Sequence, residues 1–435
     1  MEKITSLTAK AYSHFMHDSL RRNASLLIFS QAINAGASFI FWLVCARLFT
    51  TNDVGLAVSI ISFGTLIATF TNLGLPNTIV RFLPTSKQRG RLFAGSLYVV
   101  VTFSLLSAVV STIFIKSLVP KLGFVHASGL LSLILVLLII GNTVSSFMDG
   151  TLMAFRKGQY ILGKALIINI PRVVLPFFIV ALGLRGIVGI YVVMLGFGIT
   201  YSIFIAVYQL MQNESFKPSV QELRTHHNFA AANYFGGMFA VLPGSLLPII
   251  ILSKLGAADA AYFYIPMQIA VFINLISNST SQALIAEASQ TNNKETHKIY
   301  FKNAAVHLYQ ILIPAILLLS TVGWVVLRLY GLSYVNNGYY LLVLLSISSI
   351  FVAINWLGDT WLNIEKRSRA YFLMNGFNAI AVVGFAYVLS SHGLVGVGIG
   401  WLIGQFISAI VYLSIFARSQ LSLFTSLHKY IQPRY

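Results

Sequence analysis

Asp149 and Asp359 stand at the ends of long apolar runs, and each is followed seven residues later by a basic pair, Arg156–Lys157 and Lys366–Arg367. An acid and a cation seven apart share a helix face if the helix runs on. An ionisable group at the edge of an apolar run marks a gate, or a site that couples ion movement to a change of shape. The plainer reading of the basic pairs is interfacial anchoring and membrane orientation. Arg172 is a third candidate, about halfway along its apolar stretch, where a charge costs roughly 2.5–3.5 kcal/mol unless it meets water or a partner. With Asn169 one turn earlier it makes a donor patch suited to a phosphate. Alternatively it bonds carbonyls freed by Pro171 and Pro176.

Amides recur at helical spacing within the apolar runs. Gln31 and Asn34 lie in the first, Asn72 ends the second, and Asn142 precedes Asp149 in the fourth. Asn233 lies in the seventh, Asn274 and Asn278 in the eighth, and Asn355 precedes Asp359 in the tenth. Such side chains need a partner or water inside a bilayer, so they are candidate contacts for a polar substrate; single Ser and Thr residues are as well explained by bonds to their own backbone. Pro243 and Pro248 beside Gly244, in VLPGSLLP, predict a kinked or broken helix that acts as a hinge or as a static bend.

Other chemistry is excluded. Cys45 is the single cysteine, so neither an intramolecular disulfide nor a cysteine metal cluster is available. The pair His226–His227 lacks metal-ligand spacing, and neither a metal nor a cofactor is expected. The string GQYILGKA at 158–165 approaches a phosphate-binding loop, but Ala165 stands where a Ser or Thr must hold magnesium. No Asp or Glu is expected at the centre of any apolar run. Gly396, Gly400 and Gly404, four apart, predict close helix packing.

These residues must be positioned by membrane helices. The 435 residues are 57% hydrophobic and 9% charged, with a mean hydropathy of +0.81, too little polar surface to coat soluble domains. Since a span needs about 20 apolar residues, twelve are read, near 24–47, 54–75, 92–115, 127–148, 160–183, 186–211, 229–252, 260–286, 304–327, 338–358, 370–390 and 394–417. The net charge of +18 is explained by orientation, not nucleic acid: alternate loops hold 22 Lys and Arg on one side and 6 on the other. Both termini are therefore expected in the cytoplasm.

The two acidic stretches are 210 residues apart, as are GLRG at 183 and GLVG at 393; RLFTTND from Arg47 is echoed by KLGAAD from Lys254 at 207. This nearly constant offset predicts a duplication. The fold class is an all-α integral membrane protein of about twelve transmembrane helices, in two six-helix bundles related by a parallel internal repeat, with a central cavity. The expected division is a lead-in over 1–23, a bundle over 24–212, a cytoplasmic linker over 213–228, a bundle over 229–418 and a tail over 419–435.

The phrases FWLVCARLFTTNDVGLAVSI, FTNLGLPNTIVRFLP and SKLGAADAAYFYIPMQIA resemble the multidrug/oligosaccharidyl-lipid/polysaccharide superfamily of flippases, and within it the polysaccharide transporters of the Wzx type. The resemblance runs along nearly the whole chain. It implies a transporter of the cytoplasmic (inner) membrane, not an enzyme, that moves a polyprenyl-diphosphate-linked oligosaccharide to the outer leaflet by alternating access. It further implies coupling to a proton or sodium ion, and contact with other polysaccharide assembly proteins. The cavity would be lined by spans 1, 2, 7 and 8 and parts of 4 and 10. The related peptidoglycan-precursor flippases have fourteen spans and arginines inside the first helix, features missing here. Two alternatives are a cation-coupled exporter of small organic molecules, which would want a cavity carboxylate, and a membrane glycan polymerase or ligase, which would want a large outer loop.

Overall fold

A computed structural model describes residues 19–210, 216, 227–288 and 293–431. Among them the regular structure is helical throughout. The chain divides into two compact units, Met1–Met238 and Phe239–Tyr435. The expected linker over 213–228 lies almost wholly outside the described residues, as does most of the 1–23 lead-in.

The first unit contains α1 (Ser19–Leu48), α2 (Thr51–Thr71), α3 (Leu75–Phe82), α4 (Arg89–Leu118), α5 (Gly123–Ala127), α6 (Gly129–Ala154), α7 (Gly158–Val174) and α8 (Gly183–Leu210). Helix α9 (His227–Lys254) crosses the division. The second unit continues with α10 (Ala257–Ala288), α11 (Lys294–Tyr330), α12 (Leu332–Ile364), α13 (Ser368–Leu389) and α14 (Gly393–Ile431). Eleven segments among the described residues are long and apolar enough to cross a membrane. The last, Ser368–Phe416, holds two helices that meet at Ser390–His392, which makes twelve spans.

Local sequence explains the breaks. Thr50 caps α2 by accepting from the Asp53 amide at 3.1 Å, and its hydroxyl donates to the Asp53 carboxylate at 2.7 Å; the acid also complements the positive helix start. Gly183 and Gly393, 210 apart, open α8 and α14 with φ of +51° and +72°, a region that glycine enters without a Cβ clash. Proline at 171 and 176 ends α7 at Val174, and the chain goes on through short 3-10 turns, Leu175–Phe178 and Val180–Leu182. The continuous helix expected over 160–183 is thus interrupted beyond 174.

The fourth span of each unit is its packing centre. Helix α6 packs on α2, α4 and α8, and α12 packs on α10, α11 and α14. Side chains such as Phe178, Ile380 and Leu318 point outward, as expected where the surrounding solvent is lipid. The predicted glycine packing is present: a Cβ on Gly400 would stand 2.5 Å from the Ala386 backbone, and one on Gly404 2.5 Å from Val382 Cα. Small residues let α13 and α14 approach until their backbones nearly touch. Of the kinked or broken helix expected here, the break is absent, for helix α9 runs unbroken through Pro243 and Pro248. Pro243 is buried and Gly244 exposed.

Candidate functional site

The acidic stretches do not continue as helices, which corrects the shared-face expectation. Helix α6 ends at Ala154 and α12 at Ile364, each five residues past its aspartate. Arg156 and Lys366 then take positive φ, +54° and +57°, at the same 210-residue offset. A non-glycine residue in this region turns the chain sharply, so each basic pair lies in the bend. In the first unit Asn23 clamps that bend: its Nδ2 donates to the Arg156 carbonyl at 2.6 Å, and its Oδ1 accepts from the Gly158 amide at 3.1 Å. Lys157 reaches Gln209 at 3.3 Å, and Arg367 stacks over Trp361 at 5.2 Å.

The cation that Asp149 meets is Lys164, one helix further on. Lys164 Nζ lies 2.7 Å from Asp149 Oδ1. It also donates to Ser145 Oγ at 2.9 Å and the Ser145 carbonyl at 3.1 Å. Only 4% of Lys164 is exposed, and three acceptors satisfy its three donors. This lysine belongs to the GQYILGKA string, so Arg172 is not alone among charges within the spans. The sequence signal was a lysine inside an apolar run that follows a carboxylate.

In the second unit the equivalent acid has neutral partners. Asn375 Nδ2 donates to Asp359 Oδ1 at 2.9 Å, and the Tyr412 hydroxyl donates to the same oxygen. One turn earlier on α12, buried Asn355 donates to Gln405 Oε1 at 2.7 Å, which also accepts from Asn378 at 3.3 Å. Asn355 Oδ1 is buried without a hydrogen bond. Asn375, Tyr412, Gln405 and Asn378 were not singled out from sequence, because each becomes meaningful only through a partner on another helix.

Among the remaining candidates, Asn169 Nδ2 donates to Asn34 Oδ1 at 2.5 Å and to the Ala165 carbonyl at 2.8 Å, which ties α7 to α1. Gln31 and Asn34 are both exposed on α1. Arg172 sits in the last turn of α7, where the helix dipole favours a cation. Its guanidinium lies over Phe41 at 4.5 Å and near Tyr191 at 5.1 Å. Its Nε is buried and makes no hydrogen bond, so aromatic faces hold it, not the carbonyls freed by the prolines. Asn142 donates to its own helix at Leu138, 2.9 Å away, whereas its neighbour Thr143 meets Thr71 across to α2 at 2.7 Å. Asn278 accepts from Gln282 at 2.5 Å. The Oδ1 atoms of Asn72 and Asn274 are buried and unbonded. The Asn233 side chain lies outside the described residues.

Comparison with known proteins follows this geometry. The family described as "Polysaccharide biosynthesis protein" matches residues 20–285. The solved structure titled "Lipid II flippase MurJ, inward closed conformation" is similar with a TM-score of 0.74 and 12% identity, over 95% of this chain and 93% of that one. An inward-facing multidrug resistance MATE family transporter of the MOP superfamily is similar with a TM-score of 0.70 and 16% identity, over 90% and 96%. An outward-facing one gives 0.57 and 14%, over 94% and 96%. At these identities the likeness is one of fold. Comparison with curated proteins gave no match.

Proposed function

The chain belongs to the polysaccharide biosynthesis protein family, and we propose that it is a flippase for a polyprenyl-diphosphate-linked oligosaccharide. On this reading it carries a polysaccharide or O-antigen repeat unit from the inner to the outer leaflet of the cytoplasmic membrane, by ion-coupled alternating access, with both termini cytoplasmic. It catalyses no covalent step.

The observation that carries this reading is the exposed amide face of α1. Gln31 and Asn34 stand one turn apart and exposed, on a helix apolar enough to span. Amide groups left unpaired in hydrocarbon cost several kcal/mol, on the order of 2–7, and the Asn169 bond pairs only the Asn34 oxygen. They belong on a wet route, where they replace water around sugar hydroxyls while the lipid tail stays in the bilayer. Asn72, Asn274 and Asn355, each with an unbonded buried oxygen, are further glycan acceptors on this reading, with Asn142, Asn169, Asn233 and Asn278 completing the set. Arg172 holds the diphosphate. Asp149 and Asp359 act as coupling or gating elements, with Pro243 and Gly244 as the hinge.

The exporter alternative is weakened by the same geometry. Asp149 is neutralised by Lys164, which leaves Asp359, with two neutral donors on one oxygen, as the one of the two acids without a cation. The test is depletion of the protein in cells that build such a glycan. Lipid-linked oligosaccharide should then build up in the cytoplasmic leaflet, with resistance to organic cations unchanged; normal glycan export together with lost resistance would reverse the assignment.

A further inference from the structure

The duplication makes each side chain in one unit a control for its counterpart in the other. Counting 210 residues on, Asp149 becomes Asp359, Lys164 becomes Met374, Ala165 becomes Asn375 and Ser202 becomes Tyr412. The carboxylate is kept while its cation is replaced by a thioether, and two neutral donors appear at positions that are small in the first unit. Those two donors are the groups that hold Asp359.

From this asymmetry we infer that the two aspartates are functionally unequal: Asp359 is a proton-exchange site, and Asp149 is a fixed half of an ion pair. Asp149 is joined to the ammonium of the buried Lys164 at 2.7 Å, a partner that would be stranded without it. Asp359 has no such tie. From α14 it meets Tyr412, and from α13 it meets Asn375, with Tyr371 close by. Helices α10 and α11, also packed on α12, bring no Lys, Arg or His into an ion pair with it among the described residues. The basic pair of its own bend is turned elsewhere, with Arg367 over Trp361 and Lys366 exposed.

The hydrogen-bond pattern selects a proton over a metal cation. Asn375 Nδ2 also donates to the Tyr371 carbonyl at 3.0 Å. That carbonyl only accepts, so the amide must turn its NH₂ group toward Asp359. Both contacts to the acid are therefore donors aimed at one oxygen, an arrangement that repels a sodium ion, which needs several oxygens around it. Oδ2 receives no hydrogen bond from the described residues and can take one proton from water. The group becomes a neutral carboxyl, and both donors stay on Oδ1. Nothing is oxidised, and the only change is the loss of one negative charge from α12.

The use of this proton in transport rests on the flippase reading; proton binding itself does not. The test is pH-difference infrared spectroscopy on the purified full chain in lipid, which reads the carbonyl stretch of a protonated carboxyl without any substrate. The wild type should show one such band, absent from Asp359→Asn and retained in Asp149→Asn. Tyr412→Phe, which keeps the acid but removes a hydrogen bond to Oδ1, should shift the band in frequency. A band that survives Asp359→Asn, or one that disappears in Asp149→Asn, overturns the assignment. If the bands behave as stated while glycan export shows no pH dependence, the proton site stands and its role in transport fails.

Discussion

Lys164 and Asp149 form a 2.7 Å ion pair between α7 and α6, and the residue 210 positions after the lysine is Met374. One duplicated acid is thus neutralised within the fold and the other is not. Removing the charge of the acid should hurt more than removing the cation, because it strands the buried Lys164, whereas the Asp149 side chain is 47% exposed and keeps access to water.

The first prediction follows from that imbalance. Lys164→Met should lower the unfolding free energy by on the order of 1–3 kcal/mol, since it leaves an ionised group and two Ser145 oxygens without their donor. Adding Asp149→Asn to it should return part of the loss, a non-additivity of about 0.5–3 kcal/mol for groups in contact. Thermal unfolding of the four proteins in detergent, wild type, both single variants and the double, reads the coupling. Strict additivity would show that the pair is not coupled in solution.

Much of this arrangement was legible beforehand, and what was hidden has a physical cause. Hydropathy and charge asymmetry yield twelve spans because a bilayer forces every backbone group into helix. The 210-residue offset is visible because the same bend, with Arg156 and Lys366 at positive φ, recurs at the same place. Periodicity assigns a residue to a face and does not say which helix that face meets. Lys164 and Asp149 are joined across a bend, and Tyr412 and Asp359 lie 53 residues apart, so neither pairing was readable. Asn142 was read as a substrate contact, and its bond to the Leu138 carbonyl of its own helix is one that periodicity alone does not reveal. The prolines of α9 were read as kinking or breaking it, and the helix continues through both; neighbouring groups in a membrane bundle can meet the carbonyls a proline frees.

The second prediction concerns Arg172, held between Phe41 and Tyr191. As the proposed diphosphate ligand it should tolerate Lys in part, because charge is kept and the planar fork is lost. Arg172→Gln should lose most export at matched expression. The readout is lipid-linked oligosaccharide retained on the cytoplasmic face. Normal export by Arg172→Gln would make the residue structural, as would an Arg172→Ala protein that fails to accumulate in the membrane.

A third prediction addresses packing. Gly400→Val should force α13 and α14 apart, since even a Cβ meets the Ala386 backbone at 2.5 Å; overpacking of this kind costs about 1–3 kcal/mol. Reduced accumulation and a lower unfolding temperature are expected, and wild-type stability would show that the two helices separate freely.

Orientation is the fourth. The 22 to 6 excess of basic residues predicts that the segment around Lys294 to Lys302, at the start of α11, is cytoplasmic. A reporter inserted there should be active only as a cytoplasmic fusion. Activity on the outer side would reverse the topology and the direction of transport with it.

The central claim is that the chain moves a lipid-linked glycan between leaflets. Its most direct measurement is the leaflet distribution of the polyprenyl-diphosphate-linked oligosaccharide, read by an impermeant glycan-modifying probe in sealed membranes of defined orientation, with and without the protein. The account predicts that the lipid reaches the outer leaflet only when the protein is present, and that substituting Gln31 and Asn34 by Leu slows this without loss of protein. An outer-leaflet fraction that is the same in membranes lacking the protein would contradict it.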